Sequence, residues 1–160
     1  MARPSNPGRL FTAWILAWLA LAAEAAAPLP AARDFAADAT VMRSERLPLM
    51  VLFSRSNCPW CEKVRREYLD SIAAEPTPRV LLRQVDMDRD TALVDFDGSN
   101  TSHRAFAQAH RARLAPTLMF FGPDGRQLAE PLVGYQTADF YGSLIDRAID
   151  DGHGLMRKTP

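Results

Sequence analysis

Net charge is missing from this chain: 19 Lys and Arg stand against 19 Asp and Glu. A balanced chain has no bulk field to draw it to nucleic acid or an anionic membrane, and no basic stripe runs along it. Histidine is scarce too, with His103, His110 and His153 as its three residues. None stands at metal-ligand spacing from the cysteines, and zinc needs about four ligands. His103 and His110 read as lying on a polar, solvated helix face. The aspartates at 86, 88, 90, 95 and 97 do not follow the spacing of an EF-hand loop, and its closing glutamate is absent. They read as solvated strand-end and loop residues, so no metal is expected. Internal repeats are absent. Cysteine is the last scarcity: there are two, Cys58 and Cys61. A vicinal second thiol argues against a cysteine protease, which needs a lone nucleophile beside a histidine.

The first residues are read apart from the domain. Arg3 and Arg9 make a weakly basic start, and Leu10 to Ala23 is uncharged and apolar. That run is short of the about 20 apolar residues that span a bilayer comfortably. Ala23-Glu24-Ala25 offers small residues where a signal peptidase reads, and cleavage after Ala27 would leave Pro28 next to the cut. The expected organisation is a signal peptide over 1–25, a Pro/Ala linker over 26–33, one domain over 34–150 and a flexible tail over 151–160. Left uncleaved, the same segment would anchor the domain to a membrane. Either way the domain works outside the cytoplasm, in a bacterial periplasm, where disulfides persist.

Within the domain, Asp34 to Glu45 predicts a helix with Asp34 as its N-cap. Leu47 to Phe53 predicts a buried strand. Both cysteines follow it directly, as Cys58-Pro59-Trp60-Cys61, at the start of a helix whose apolar face is Cys61, Val64, Tyr68, Leu69 and Ile72. A sulfur in the first turn meets unpaired N–H groups and the positive end of the helix dipole, which favours its thiolate. Pro59 is tolerated there because its missing N–H would have no partner. Pro76 and Pro78 stop this helix. Val80 to Val85 predicts a second strand, Thr101 or Ser102 caps a short helix, and Thr117 to Phe121 is a third strand. Pro123-Asp124-Gly125 turns into a strand over Gln127 to Val133, paired as a hairpin. Thr137 caps a last helix with Phe140, Tyr141, Leu144, Ile145, Ala148 and Ile149 on its apolar face.

Phe53-x4-Cys58-Pro59-Trp60-Cys61, Ala115-Pro116-Thr117-Leu118, the Gly122-Pro123-Asp124-Gly125 turn and Gly134-Tyr135 occur in an order that resembles the thioredoxin superfamily. The likeness spans about Arg33 to Asp150. With the export signal and the Asp95-Phe96-Asp97-Gly98 insert, it points to secreted bacterial relatives of the sulfur-oxidation and cytochrome c maturation type. It implies an α/β thioredoxin fold: a central mixed β-sheet, built from a βαβ unit and then a hairpin, flanked by helices. It implies a thiol–disulfide oxidoreductase that uses no organic cofactor. Cys58, the outer sulfur, is expected as nucleophile, and Cys61, nearly one turn further in, as the resolving thiol. By the same resemblance Pro116 follows a cis peptide bond beside the dithiol, and Pro59, Trp60, Ala115 and Pro116 bind the substrate chain, the Ala115 backbone by strand addition.

Pro-aromatic between the cysteines also resembles glutaredoxins, but no glutathione-binding set accompanies it. One departure stands out. Thioredoxins carry a buried Asp six residues before the first cysteine for proton transfer to the resolving sulfur, and here that residue is Leu52. Arg55 either depresses the Cys58 pKa or is simply solvated. The expected partners are disulfide-containing protein substrates and a membrane-embedded dithiol reductase that recharges a monomeric protein. An oxidase or isomerase, or a binding module with a structural disulfide, are the alternatives.

Overall fold

The computed structural model describes residues 29–135 and 138–158, and the segment read as an export signal lies outside them. The sheet is built around β1, Leu49–Ser54, whose side chains are buried at every position. Strand alternation sends Leu49, Val51 and Phe53 to one face and Met50 and Leu52 to the other, so both faces must be covered. β2, Leu81–Asp86, pairs parallel with β1 on one side. β5, Thr117–Phe121, pairs antiparallel on the other, with β6, Leu132–Val133, beyond it. The order β2-β1-β5-β6 is the expected mixed sheet. A separate hairpin joins β3, Ala92–Val94, to β4, Asn100–Ser102.

A parallel pair needs a crossover, and the helix after Cys58 supplies it. It runs as α2, Pro59–Val64, opens into a π turn over Arg65–Leu69, and continues as α3, Asp70–Ala73. α1 is Phe35–Glu45, α4 is His103–Ala109 and α5 is Ala138–Lys158. Phe35 and Met42 of α1 and Phe106 of α4 pack with Val51 and Phe53 on the first face. Val64, Leu69, Tyr141, Ile145 and Ile149 pack with Met50 and Leu52 on the second. Asp34 caps α1 as expected, accepting from the Ala37 N–H at 2.8 Å, and Ser102 caps α4 through the Ala105 N–H at 3.2 Å.

Four expectations are corrected. Within the stretch read as a linker, residues 29–33 form a structural edge: the Gln84 N–H donates to the Pro30 carbonyl and the Ala32 N–H to the Gln84 carbonyl, at 2.9 and 2.8 Å. Leu29 is buried against the core, so this segment belongs to the domain. Residues 151–158 of the expected tail are helical, because α5 continues to Lys158. Gly152 and Gly154 hide that helix in the sequence, since glycine carries a helix penalty of about 1 kcal/mol. The small residue is useful there: a Cβ at Gly152 would lie 3.2 Å from Pro48. The strand expected over Gln127 to Val133 is broken into a bridge at Gln127 and the two residues of β6, with Pro131, which lacks a ladder donor, between them.

The histidines form the fourth correction. His103 is fully buried. Its Nδ1 accepts from the Asp86 N–H at 2.9 Å, so Nε2–H donates to the Ala32 carbonyl at 2.8 Å. One ring thus ties α4, β2 and the N-terminal edge together. His110 packs 4.3 Å from the Phe106 ring, and burial lowers its pKa. None of the aspartates at 86, 88, 90, 95 and 97 is buried; Asp90, with a side chain 71% exposed, pairs with Arg104 at 2.8 Å, and Asp88 accepts from the Ser56 N–H at 3.0 Å.

Candidate functional site

The end of β1 delivers the chain to Arg55-Ser56-Asn57 and then to Cys58. Asn57 takes a positive φ of 54°, a conformation asparagine tolerates better than most residues, and this turns the chain into the helix. Asp88 holds the same loop from below by accepting the Ser56 N–H, and that bond lowers the pKa of its carboxyl. Arg55 reaches the Arg113 carbonyl at 3.3 Å and so bridges the dithiol loop to the segment before Pro116. Its role here is a strut between two loops.

Cys58 is the N-cap of α2, with extended backbone, and its Sγ accepts from the Cys61 N–H at 3.1 Å. Pro59 follows in the first turn. Cys58 and Cys61 are joined as a disulfide with Cα atoms 5.3 Å apart. The two sulfurs differ in access: Cys58 is half-buried, whereas Cys61 is 3% exposed. Leu52 lies under this helix at 1% exposure, packed in the same cluster as Val64 and Tyr141.

The Ala115–Pro116 peptide bond is cis. Thr117 pairs with Phe53, so Pro116 stands at the end of the sheet where β1 enters the dithiol loop. Pro116 is buried and its carbonyl accepts from the Gly134 N–H at 2.8 Å, while Ala115 is half-buried and Leu114 is 60% exposed. This brings the residues 58–61, 114–116 and 133–135 to one pole of the molecule.

Trp60 projects from that pole at 56% exposure, with Pro59 exposed beside it. Its indole is stacked on Tyr135, centroids 5.4 Å apart and planes 20° from parallel. The Tyr135 ring lies 5.5 Å beneath Lys63 Nζ, and its hydroxyl donates to Glu67 at 3.3 Å. Hydrogen bonding to Tyr68 and the nearby Glu67 carboxylate push the Tyr135 pKa up, while the Lys63 contact holds the Glu67 carboxyl below its usual range. Tyr135, Lys63 and Glu67 were not singled out as site residues from the sequence. Lys63 and Glu67 sit one turn apart on the dithiol helix, which was the available signal; Tyr135 stood in the Gly134-Tyr135 pair, but its stack on Trp60 joins distant segments.

The arrangement can perform one kind of chemistry readily: opening and closing a two-sulfur bond with one sulfur at the surface and one behind it. Among the described residues no cluster of His, Cys, Asp or Glu could hold a metal ion, and no helix is long and apolar enough to cross a membrane.

Comparison with known proteins agrees with this architecture. The sequence pattern of the thioredoxin-like domain matches residues 35–149. No curated protein sequence matches the chain. Among solved structures, the DsbH oxidoreductase aligns over 94% of this chain and 95% of its own, at 15% identity and a TM-score of 0.53. Mitochondrial thioredoxin 3 of Saccharomyces cerevisiae, in its oxidized form, aligns over 77% and 94% at 16% identity and a TM-score of 0.50. The periplasmic thioredoxin SoxS of Paracoccus pantotrophus aligns over 65% and 97% at 16% identity, with a lower TM-score of 0.46. At these identities the structural likeness speaks for the fold. The family match together with the bonded Cys58–Cys61 pair identifies the chain as a member of the thioredoxin-like domain family and a thiol–disulfide oxidoreductase.

Proposed function

We propose that this oxidoreductase is an exported, periplasmic reductase of protein disulfides, with Cys58 as nucleophile and Cys61 as resolving thiol. The observation that carries the roles is the difference in access between the half-buried Cys58 at the helix start and the buried Cys61. In the forward reaction the Cys58 thiolate attacks a substrate sulfur, forming a mixed disulfide and releasing the first substrate thiolate. The Cys61 thiolate then attacks Cys58 Sγ, releasing the second substrate thiolate and leaving the Cys58–Cys61 bond. The substrate thereby gains two electrons and takes up two protons. With Leu52 in place of an acid, the Cys61 proton leaves through water or another group. Pro59, Trp60, Ala115 and Pro116 share the pole of the outer sulfur and would seat the substrate chain.

Export rests on the basic, then apolar, then small-residue order of the first 25 residues. In that compartment a membrane dithiol reductase would return Cys58–Cys61 to the reduced state. Trapping tests the reading: Cys61→Ser should accumulate mixed disulfides between Cys58 and host proteins, and Cys58→Ser should not. Adducts through Cys61 instead would reverse the roles, and the absence of any trapped protein would remove the protein-directed reading. The midpoint potential sets the direction. A value near about −270 mV fits a reductase, near about −120 mV an oxidase, and below about −300 mV a structural staple.

A further inference from the structure

The pole opposite the disulfide carries a feature that redox chemistry does not use. β1 runs from Leu49 to Ser54, and Leu49 pairs with Phe121, so the turn after Phe121 lies at the far end of the sheet. Five strand steps at about 3.3 Å each separate the two ends by roughly 17 Å. At the far end a cleft of about 790 Å³ opens between the end of α1, the turn after β5 and the last turns of α5. Arg43, Arg46, Arg126 and Arg157 line it, and Pro123, Leu128 and Met156 give it apolar walls.

Elsewhere four of the arginines are held against carboxylates. Arg65 meets Glu62 and Asp70, Arg79 meets Glu75 and Asp146, Arg83 meets Asp38, and Arg104 meets Asp90. At the cleft the contacts are looser. Arg126 stands 3.8 Å from Asp124, and Arg43 donates to the Pro123 carbonyl at 3.4 Å. Arg46 and Arg157 have no acidic partner among the described residues. Two helix C-termini, those of α1 and α5, point here and each supplies roughly half a negative charge. Against Arg46 and Arg157 alone they offset about half of the charge, so capping does not account for the surplus. His153 also lines the cleft, but its Nε2 is engaged by the Arg79 carbonyl at 2.7 Å.

A cationic rim over apolar walls is complementary to an anion that carries an apolar body. We propose that this cleft binds an amphiphilic anion, a carboxylate or phosphate head on an acyl-like chain. A free fatty acid and an anionic phospholipid share that chemistry. The full-length chain would be titrated calorimetrically with dodecanoate, below its micelle concentration, and sedimented with phosphatidylglycerol vesicles against phosphatidylcholine vesicles. We expect saturable binding to one of these anions, weakened at least tenfold by Arg46→Glu with Arg157→Glu, and dodecanol binding at least tenfold more weakly than dodecanoate. Disulfide reduction by the variant should stay unchanged, since the cleft and the dithiol lie at opposite poles. Binding to dodecanoate alone supports a soluble ligand, and binding to vesicles alone supports a lipid surface. If the charge-reversed chain unfolds, Arg46→Gln with Arg157→Gln gives the same comparison with less repulsion. No saturable binding to either anion, or binding that survives the arginine substitutions, overturns the proposal.

Discussion

The two faces of the sheet differ in their aromatic rings: apart from Phe120, the buried phenylalanines gather on one face, and the tyrosines stand on the other. On the side of α1 and α4, Phe35, Phe53, Phe96, Phe106 and Phe121 form one ring network with His110 at its edge. On the side of α2, α3 and α5 stand all three tyrosines, Tyr68, Tyr135 and Tyr141, with Trp60 stacked on the outermost. A buried phenylalanine asks for no partner, whereas a buried tyrosine brings a hydroxyl that needs one. The phenylalanine face has its buried polar groups answered: His103 bonds through both ring nitrogens, and Arg83 grips Asp38 with two hydrogen bonds. The tyrosine face leaves the Tyr141 hydroxyl and one Asp70 oxygen without hydrogen-bond partners, and its helix opens into a π turn. The satisfied face anchors the sheet, and the loosely satisfied one carries the dithiol. π turns inside α-helices often mark functional segments, which fits that division.

The contrast is broken most severely at Phe106, the fully buried hub that touches Phe35, Phe53, Phe121 and His110. Phe106→Ala should cost about 3–5 kcal/mol, measured by urea unfolding, because little can collapse into the space. A loss below about 1.5 kcal/mol would show that the phenylalanine face is not the anchor. His103→Leu comes next. It keeps an apolar body but strips partners from the Asp86 N–H and the Ala32 carbonyl, at about 1–3 kcal/mol for each group left dry. A near-neutral result would mean that the N-terminal edge does not depend on this clamp.

On the opposite face the sign should change. The Tyr141 hydroxyl has no partner, and burial pushes its pKa up to about 12. Tyr141→Phe therefore removes an unpaid desolvation cost, and stability should hold or rise by up to about 1 kcal/mol. A loss larger than about 1 kcal/mol would reveal a hydrogen bond made through bound water and erase the difference between the faces.

What the sequence made legible was local. The apolar run of β1, the caps at Asp34 and Ser102, the dithiol at a helix start and the turn at Gly125 are all signalled within a few residues. What stayed hidden depends on partners far along the chain. The bond from His103 to Ala32 spans 71 residues, so a histidine on an ordinary helical stretch gave no sign of burial. The edge at 29–34 is paired by β2 and β3, while its Pro/Ala composition suggests a spacer. Two glycines concealed the last turns of α5, whose packing on Pro48 outweighs their propensity. At the site the cysteines were evident, whereas the Tyr135 stack and the Asp88 tether had to be seen in three dimensions.

The smallest effect concerns the edge of the phenylalanine network. His110 lies 4.3 Å from Phe106 and 4.9 Å from Phe121, and burial lowers its pKa below the usual 6.5, with Asp95 partly opposing. The folded chain therefore takes up this proton less readily than the unfolded chain. Above pH about 6.5 the ring is neutral in both states and contributes no pH dependence. As the pH falls below that value the unfolded state protonates first, so folding is progressively penalised until the folded ring also titrates. His110→Gln cannot titrate. Its stability relative to the parent chain should rise between about pH 7 and 5 and stay level between about pH 7 and 8, as read by urea unfolding at each pH. Parallel curves across that acid range would place the ring in water and remove the one pH-sensitive element this reading assigns to the phenylalanine network.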